Sequence, residues 1–141
     1  MRVVVLSDTH NQHRQIAVPP GDVVIHAGDA CVDGTEAEQL DFLDWFVALP
    51  HKHRVFIGGN HDGILESGVW RDLIFRRHRW TAAEGGVLYL QGIEERLEAA
   101  GHTRRIYGAP WRPRPDSWTP GAPLRPGTRT SAFGVRESEI A

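Results

Sequence analysis

Several features that are common in proteins are scarce in this chain of 141 residues. It has one cysteine, Cys31, so no disulfide can form within it, and we expect a buried, inert thiol in a reducing compartment. No run approaches the roughly 20 apolar residues that a membrane-spanning helix needs. No basic segment followed by an apolar one opens the chain, as it would in a signal peptide. We therefore expect a cytoplasmic protein that does not span a membrane.

The chain also lacks an excess of charge of either sign. Its formal net charge is -2 and its isoelectric point lies near 6.4, which gives no strong signal for nucleic-acid binding. The 40% apolar and 24% charged composition is ordinary for a globular protein. The length suffices for one domain with a real core.

Short apolar runs and one helix signal indicate the fold class. The runs predict strands over residues 2–7, 23–27, 54–57, 87–90 and 104–107. A capping box at Thr35 and Glu38 predicts the start of a helix, which would present on one face Leu40, Leu43 and Val47. A second helix is expected over about residues 63–77. The alternation predicts an α/β fold with a mostly parallel sheet and crossover helices.

The composition changes after Ala109. Six of the nine prolines follow it, and no periodic apolar pattern persists there. We therefore expect a partial domain over residues 1–115 and a Pro/Gly-rich tail over residues 116–141, in loops or disordered.

Three polar strings follow the first three predicted strands: Asp8-Thr9-His10, Gly28-Asp29 and Gly59-Asn60-His61-Asp62. The carboxyl ends of parallel strands share one edge of a sheet, where ligands gather. Asp8 and His10 are two residues apart, so alternation along an extended segment would direct both side chains the same way. Taken alone, this string is explained equally well by an Asx-type turn with a surface histidine.

The residue types in these strings suit a divalent metal ion. The carboxylate of Asp29 has two oxygens and could bridge two cations, and Asn60 offers a neutral carbonyl oxygen. His61 could stabilise charge on phosphoryl oxygens or protonate a leaving oxygen. Asp62 is expected to cap a helix or to orient a neighbour. His26, inside the second strand, is expected to pack in the core or to support a ligand.

Taken together and in order, the strings resemble the motifs of the calcineurin-like metallophosphoesterases. The likeness includes Gly34, five residues after Asp29, and the connecting stretches 18–22, 49–53 and 106–111. The likeness covers about residues 1–118. Within the family, the chain is similar to the small metallophosphoesterase-domain branch, whose members are related to a brain protein. The resemblance implies the N-terminal part of a metallophosphoesterase αββα sandwich.

The resemblance also implies an activity, that of a metal-dependent phosphoesterase, in this branch a phosphodiesterase with cyclic nucleotides among its substrates. Asp8, His10 and Asp29 would hold the first of two divalent ions, which in the family are Mn, Fe, Zn, Mg or similar. Asp29 would bridge to the second ion, Asn60 would hold that ion, and His61 would be catalytic. A metal-bound hydroxide would attack phosphorus in line with the leaving group.

The sequence departs from the family pattern in its second half. The family completes its site with a later strand-end histidine and a Gly-His-x-His string. Neither is present, since after His102 the second histidine is replaced by Arg104. We therefore expect one weakly held ion and a labile second position.

Three interpretations stay open. The chain could be an active phosphodiesterase, a weak or inactive truncated relative that binds metal or phosphate, or a gene fragment. The missing half would also leave an apolar sheet face uncovered, which a homo-oligomer could cover.

Overall fold

The computed structural model of the protein describes residues 1–66, 86–109, 112–113 and 134–135. Its centre is a sheet of four short parallel strands in chain order: β1 (Val3–Leu6), β2 (Val23–His26), β3 (His53–Phe56) and β4 (Val87–Tyr89). This confirms the predicted α/β class and the mostly parallel sheet.

One helix, α1 (Glu36–Val47), lies between β2 and β3 in the chain. The predicted capping box is present, because the backbone N–H of Glu38 donates to the Thr35 hydroxyl and the Thr35 N–H donates to the Glu38 carboxylate. The buried face differs from the predicted one. Its fully buried residues are Gln39, Phe42, Leu43 and Phe46, whereas Leu40 and Val47 are only partly buried. The two phenylalanine rings remove more apolar area from water than the smaller side chains beside them, so they set the orientation of the helix.

The sheet has two differently covered faces. On one face, Val24 and Phe56 pack in a core with Phe42 and Phe46 of α1. On the other face, Val23 and Val55 pack with Leu97 of an antiparallel hairpin. That hairpin consists of β5 (Ile93–Ala99) and β6 (His102–Gly108).

The sequence predicted part of β6 but not β5. In β5 only Leu97 and Ala99 are buried, and most of the other side chains are charged. The connection between the strands consists of Ala100 and Gly101, both with positive φ, at 49° and 71°, as two-residue hairpin turns require.

Beyond the hairpin cover, the outer face of β1 is open. Val3 and Val5 are 48% and 62% exposed, while Val4 and Leu6 face the core under α1. Within the described strands β1 pairs only with β2, so it forms one edge of the sheet.

The remaining described elements are short. Two 3-10 turns cover His13–Gln15 and Gly63–Glu66; the rest of the helix predicted over residues 63–77 lies outside the described residues. Strands β7 (Arg112–Pro113) and β8 (Gly134–Val135) pair in parallel, and the division at residues 115 and 116 stays a prediction. Within the part of the chain that the structure describes, no helix has the length and apolar character needed to traverse a bilayer.

Candidate metal centre

The turns that follow β1 and β2 run side by side. Their backbones continue the strand pairing beyond the strands, because the N–H of Asp8 donates to the carbonyl of Gly28 at 2.9 Å and that of His10 to the carbonyl of Asp29 at 3.1 Å. The first two polar strings therefore meet at the carboxyl edge of the sheet, as the parallel order predicts.

Asp8, His10 and Asp29 form a cluster in which one ligand atom of each lies within 4.8 Å of the other two. Asp8 is exposed, and the other two are half-buried. The prediction that alternation along an extended segment directs Asp8 and His10 the same way is wrong. Strand β1 ends at Leu6, and Asp8, His10 and Asp29 have φ values of 54°, 42° and 55°. A turn with left-handed residues, rather than strand alternation, brings the ligand atoms together.

The His10 ring is oriented by a backbone carbonyl. Its Nδ1 lies 3.0 Å from the carbonyl oxygen of Cys31. Because that oxygen can only accept a hydrogen bond, Nδ1 carries the proton and Nε2 keeps its lone pair. An imidazole held in this way presents Nε2 to a metal ion in a fixed direction.

His61 is oriented in the same manner by the carbonyl of Val32, the residue after Cys31. Its Nδ1 donates to the carbonyl of Val32 at 2.8 Å, and its backbone N–H donates to Oδ1 of Asp29 at 2.8 Å. The His10 and His61 rings meet edge to face with centroids 4.7 Å apart. The predicted catalytic histidine therefore lies beside the cluster.

Asp62 joins the turn after β2 to the turn after β3. It is fully buried, and its carboxylate accepts the N–H of Cys31 at 3.0 Å and that of Gly59 at 2.8 Å. Burial raises the pKa of Asp62, although these two N–H groups oppose the shift. The bonds agree with the expected orienting role.

Glycines allow these two turns to touch. A Cβ at Gly34 would lie 2.6 Å from the carbonyl oxygen of His61, and one at Gly28 would lie 2.8 Å from the nitrogen of Gly59. Their φ values of +69° and +104° also favour glycine. A side chain at either position would push the turn after β3 away from Asp29.

Asn60 lies half-buried in the turn between Gly59 and His61. Its predicted role as a ligand of a second ion stays a prediction. His102 lies exposed in β6, in agreement with its interpretation as a strand or loop histidine.

The residues that sequence reasoning missed are those that act through the backbone or from between two ligands. The carbonyls of Cys31 and Val32 carry no side-chain signal. Thr9 could have been suspected, since it stands between Asp8 and His10. It is 4% exposed and its hydroxyl lies 3.0 Å from Nε2 of His26.

His26 is fully buried among aromatic rings, the nearest of which is Phe42, with centroids 4.7 Å apart. Burial lowers the pKa of His26 to about 4, a shift that the neighbouring His13 reinforces and Asp8 opposes. The ring is therefore neutral at pH 7. It packs in the core, as expected from the sequence, and it also contacts the turns that carry the cluster, while support of a ligand stays a prediction.

The sequence matches the calcineurin-like phosphoesterase family over residues 1–118, a span that includes all three turns. The chain belongs to this family.

Several relatives extend well beyond the matched region. Metallophosphoesterase domain-containing protein 1 of Homo sapiens is 32% identical over 127 residues, covering 79% of this chain and 38% of that protein. The probable rhamnogalacturonate lyase C of Emericella nidulans is 33% identical over 115 residues, 81% of this chain and 11% of that protein. A UPF0046 protein of Caenorhabditis elegans is 31% identical over 129 residues, 82% of this chain and 43% of that protein. The chain thus spans less than half the length of these relatives.

Calcineurin-like phosphoesterases depend on metal ions, and the cluster of Asp8, His10 and Asp29 fits one. It combines two carboxylates with an imidazole whose second nitrogen is already bonded. Imidazole donors suit Fe and Zn, and carboxylate donors suit Mn and Mg, so a site with two carboxylates and one imidazole fits any of these ions. The residues present therefore agree with the metal dependence of the family.

Proposed function

We propose that this chain is a metal-dependent phosphodiesterase in which Asp8, His10 and Asp29 hold a divalent ion. The observation that carries the proposal is the convergence of these three side chains beside His61. Family membership supports the phosphoester chemistry. The preference for diesters, with cyclic nucleotides among the candidates, rests on the resemblance to the small metallophosphoesterase-domain branch.

A bound divalent ion would supply Lewis-acid chemistry, since it offsets negative charge on a phosphoryl oxygen and acidifies water. The chain's own residues set how that ion is held. Nε2 of His10 is available because Nδ1 is bonded to Cys31, and one oxygen of Asp29 accepts the His61 N–H. The other oxygen of Asp29 is left for a cation.

His61 is suited to move a proton. Its Nδ1 is committed to the carbonyl of Val32, so the imidazolium can release a proton only through Nε2. We propose that His61 gives this proton to the leaving oxygen as the bond from phosphorus to that oxygen breaks, while water supplies the new oxygen on phosphorus. The products are a phosphomonoester and an alcohol, the attacking water releases a proton to solvent, and the imidazolium of His61 is restored by a proton from solvent.

The ligand count favours one ion over two. Among the described residues, the first proposed position would have three protein ligands, whereas the second would have Asp29 and Asn60, two oxygen donors that would bind a divalent ion weakly. We propose that this chain holds one ion. The same count supports a second candidate function, a module that binds metal or phosphate with little or no turnover.

Hydrolysis of bis(p-nitrophenyl) phosphate with Mn²⁺, compared with p-nitrophenyl phosphate and a cyclic nucleotide, tests the proposal. Loss of a group outside the metal's ligands costs about 10–100-fold, so Asp29→Asn should lower the Mn²⁺-dependent rate by at least about 100-fold. Asp44→Asn, at an exposed position of α1, is the matched control and should hydrolyse at the wild-type rate.

The outcomes separate the candidates. Equal rates for the wild type and Asp29→Asn would overturn the proposed site. Calorimetric Mn²⁺ binding without hydrolysis of any substrate would leave the binding module, and the absence of both would reject both functions.

A further inference from the structure

His26 lies at the carboxyl end of β2, below the turns that carry the metal cluster, and both of its ring nitrogens have partners there. Nε2 is 3.0 Å from the hydroxyl of Thr9, and Nδ1 accepts the N–H of Gly28 at 3.3 Å. Thr9 stands between Asp8 and His10, and Gly28 precedes Asp29. One side chain therefore contacts both turns directly beside proposed ligands.

These contacts define the tautomer of the ring. A backbone N–H can only donate, so Nδ1 of His26 accepts and carries no proton. In the neutral ring the proton is then on Nε2, which donates to the oxygen of Thr9. The Thr9 hydroxyl is left with its own hydrogen to donate elsewhere.

Packing alone does not explain an imidazole at this position. The ring lies among Phe42, Phe46 and Phe56, with centroid distances of 4.7, 6.2 and 5.8 Å. A phenyl ring would suit these surroundings without the cost of burying two polar nitrogens. The nitrogens gain their partners only from the two turns.

We propose that His26 is a positioning residue that holds the Asp8-Thr9-His10 turn and the Gly28-Asp29 turn together, so that the three ligand atoms converge. The role rests on the proposed function in one respect, namely that the cluster is a metal site. The two hydrogen bonds by which His26 holds the turns, called the clamp below, exist in the chain before any ion binds. The clamp and the metal site can therefore be tested separately.

The key variant is His26→Phe, which keeps a ring of similar size and removes both hydrogen bonds. Its matched control is His51→Phe. His51 is also buried, at 2% exposure, and bonds the carbonyl of Pro19 through Nε2, but it precedes β3 at the opposite, amino edge of the sheet. Both variants lose a buried imidazole, and only one loses contact with the turns.

The first measurement is amide hydrogen exchange of the metal-free chain. His26→Phe should speed exchange of the Asp8, His10 and Gly28 amides by about tenfold relative to the core amides of β3, the effect expected for one lost hydrogen bond to a buried group. In His51→Phe, exchange of these three amides should increase no more than exchange of the core amides of β3.

The second measurement is the Mn²⁺ dissociation constant by titration calorimetry, at a temperature where all variants are folded. His26→Phe should raise it about tenfold or more, and His51→Phe should leave it unchanged. His26→Asn retains an oxygen near the position of Nδ1, so it should restore the protection of the Gly28 amide and part of the Mn²⁺ affinity.

Faster exchange without any Mn²⁺ binding in the wild type would reject the metal site and uphold the clamp. Mn²⁺ binding that is equal in the wild type and His26→Phe would reject the positioning role while the metal site stands. Exchange at the three amides that is no faster in His26→Phe than in His51→Phe would overturn the clamp itself.

Discussion

The carbonyl oxygens of Cys31 and Val32 determine how the two imidazoles of the site are presented. Each accepts a hydrogen bond from Nδ1 of one histidine, His10 or His61, and so leaves Nε2 directed elsewhere. The sequence could predict the histidines, because their residue type is visible. It could not predict their orientation, because a backbone oxygen exists at every position and only the path of the turn selects these two.

The path of these turns depends on the buried carboxylate of Asp62, which accepts hydrogen bonds from both of them. Asp62→Asn replaces one accepting oxygen by an NH₂ group, which would face a backbone N–H of either Cys31 or Gly59. Leaving a buried N–H without an acceptor costs about 1–3 kcal/mol, so we expect a loss of unfolding free energy of about 2 kcal/mol. Urea denaturation measures it. Glu95→Gln, exposed on β5, should change stability by less than about 0.5 kcal/mol; equal losses would contradict the bridging role.

The neutral state of His26 predicts a dependence of stability on pH. Its pKa is about 4 in the folded chain, because the ring is buried, against an ordinary value of 6.5 when unfolded. As the pH falls, the unfolded chain takes up the proton first. The contribution is therefore complete above about pH 6.5 and declines down to about pH 4, by about 3 kcal/mol for this shift.

Urea denaturation between pH 4 and pH 7 checks this prediction. His26→Asn cannot titrate, so its unfolding free energy should fall less steeply than that of the wild type. His13, whose burial also lowers its pKa, is present in both proteins, so the difference between the two curves isolates what the loss of His26 changes. Parallel curves would show that His26 does not remain neutral in the folded chain.

At the scale of the elements, the signals with a local cause were predictable and those decided by packing were not. The capping box of Thr35 and Glu38 needs only neighbouring residues, and α1 begins where it predicts. The buried face of α1 was displaced toward Phe42 and Phe46, because the fit against the sheet selects it. Strand β5 was not predicted, because its segment is mostly charged and becomes a strand through its pairing with β6.

The start of α1 also fixes the turn after β1. Burial would raise the pKa of Glu38, but the Thr35 N–H, the Asn11 side chain and the Asp33 N–H lower it to about 2. Since Asn11 follows His10, we expect Glu38→Gln to weaken both the cap and this connection, by about 1 kcal/mol at pH 7.

The direction of the pKa shift sets the control for this prediction. A lowered carboxylate pKa stabilises the fold above the ordinary value of 4.5, and this stabilisation is lost as the pH falls toward 2. Thermal unfolding of the wild type and Glu38→Gln should therefore differ at pH 7 and converge near pH 2. A difference that persists at pH 2 would assign the effect to packing instead of charge.

At the scale of the whole molecule, the two faces of the sheet are covered unequally. Helix α1 covers one face, and the β5–β6 hairpin covers the other over β2 to β4. The outer side of β1 is left open. The relatives carry more than half of their length outside the matched region, and the metal ligands that the resemblance implies for the second half are likewise not among the residues of this chain.

The exposed side chains of β1 lead us to expect that two copies of this chain associate. Val3 and Val5 are 48% and 62% exposed, and a second copy related by a two-fold axis would bury both pairs. Sedimentation velocity should then show a dimer that grows with concentration. Val5→Lys would bring like charges together across the axis and should yield a monomer, whereas Gln15→Lys, exposed in the first 3-10 turn, adds the same charge elsewhere and should still dimerise. A wild-type chain that stays monomeric at the highest concentration would exclude this face as a contact between copies, and equal dissociation by both lysines would assign the effect to net charge.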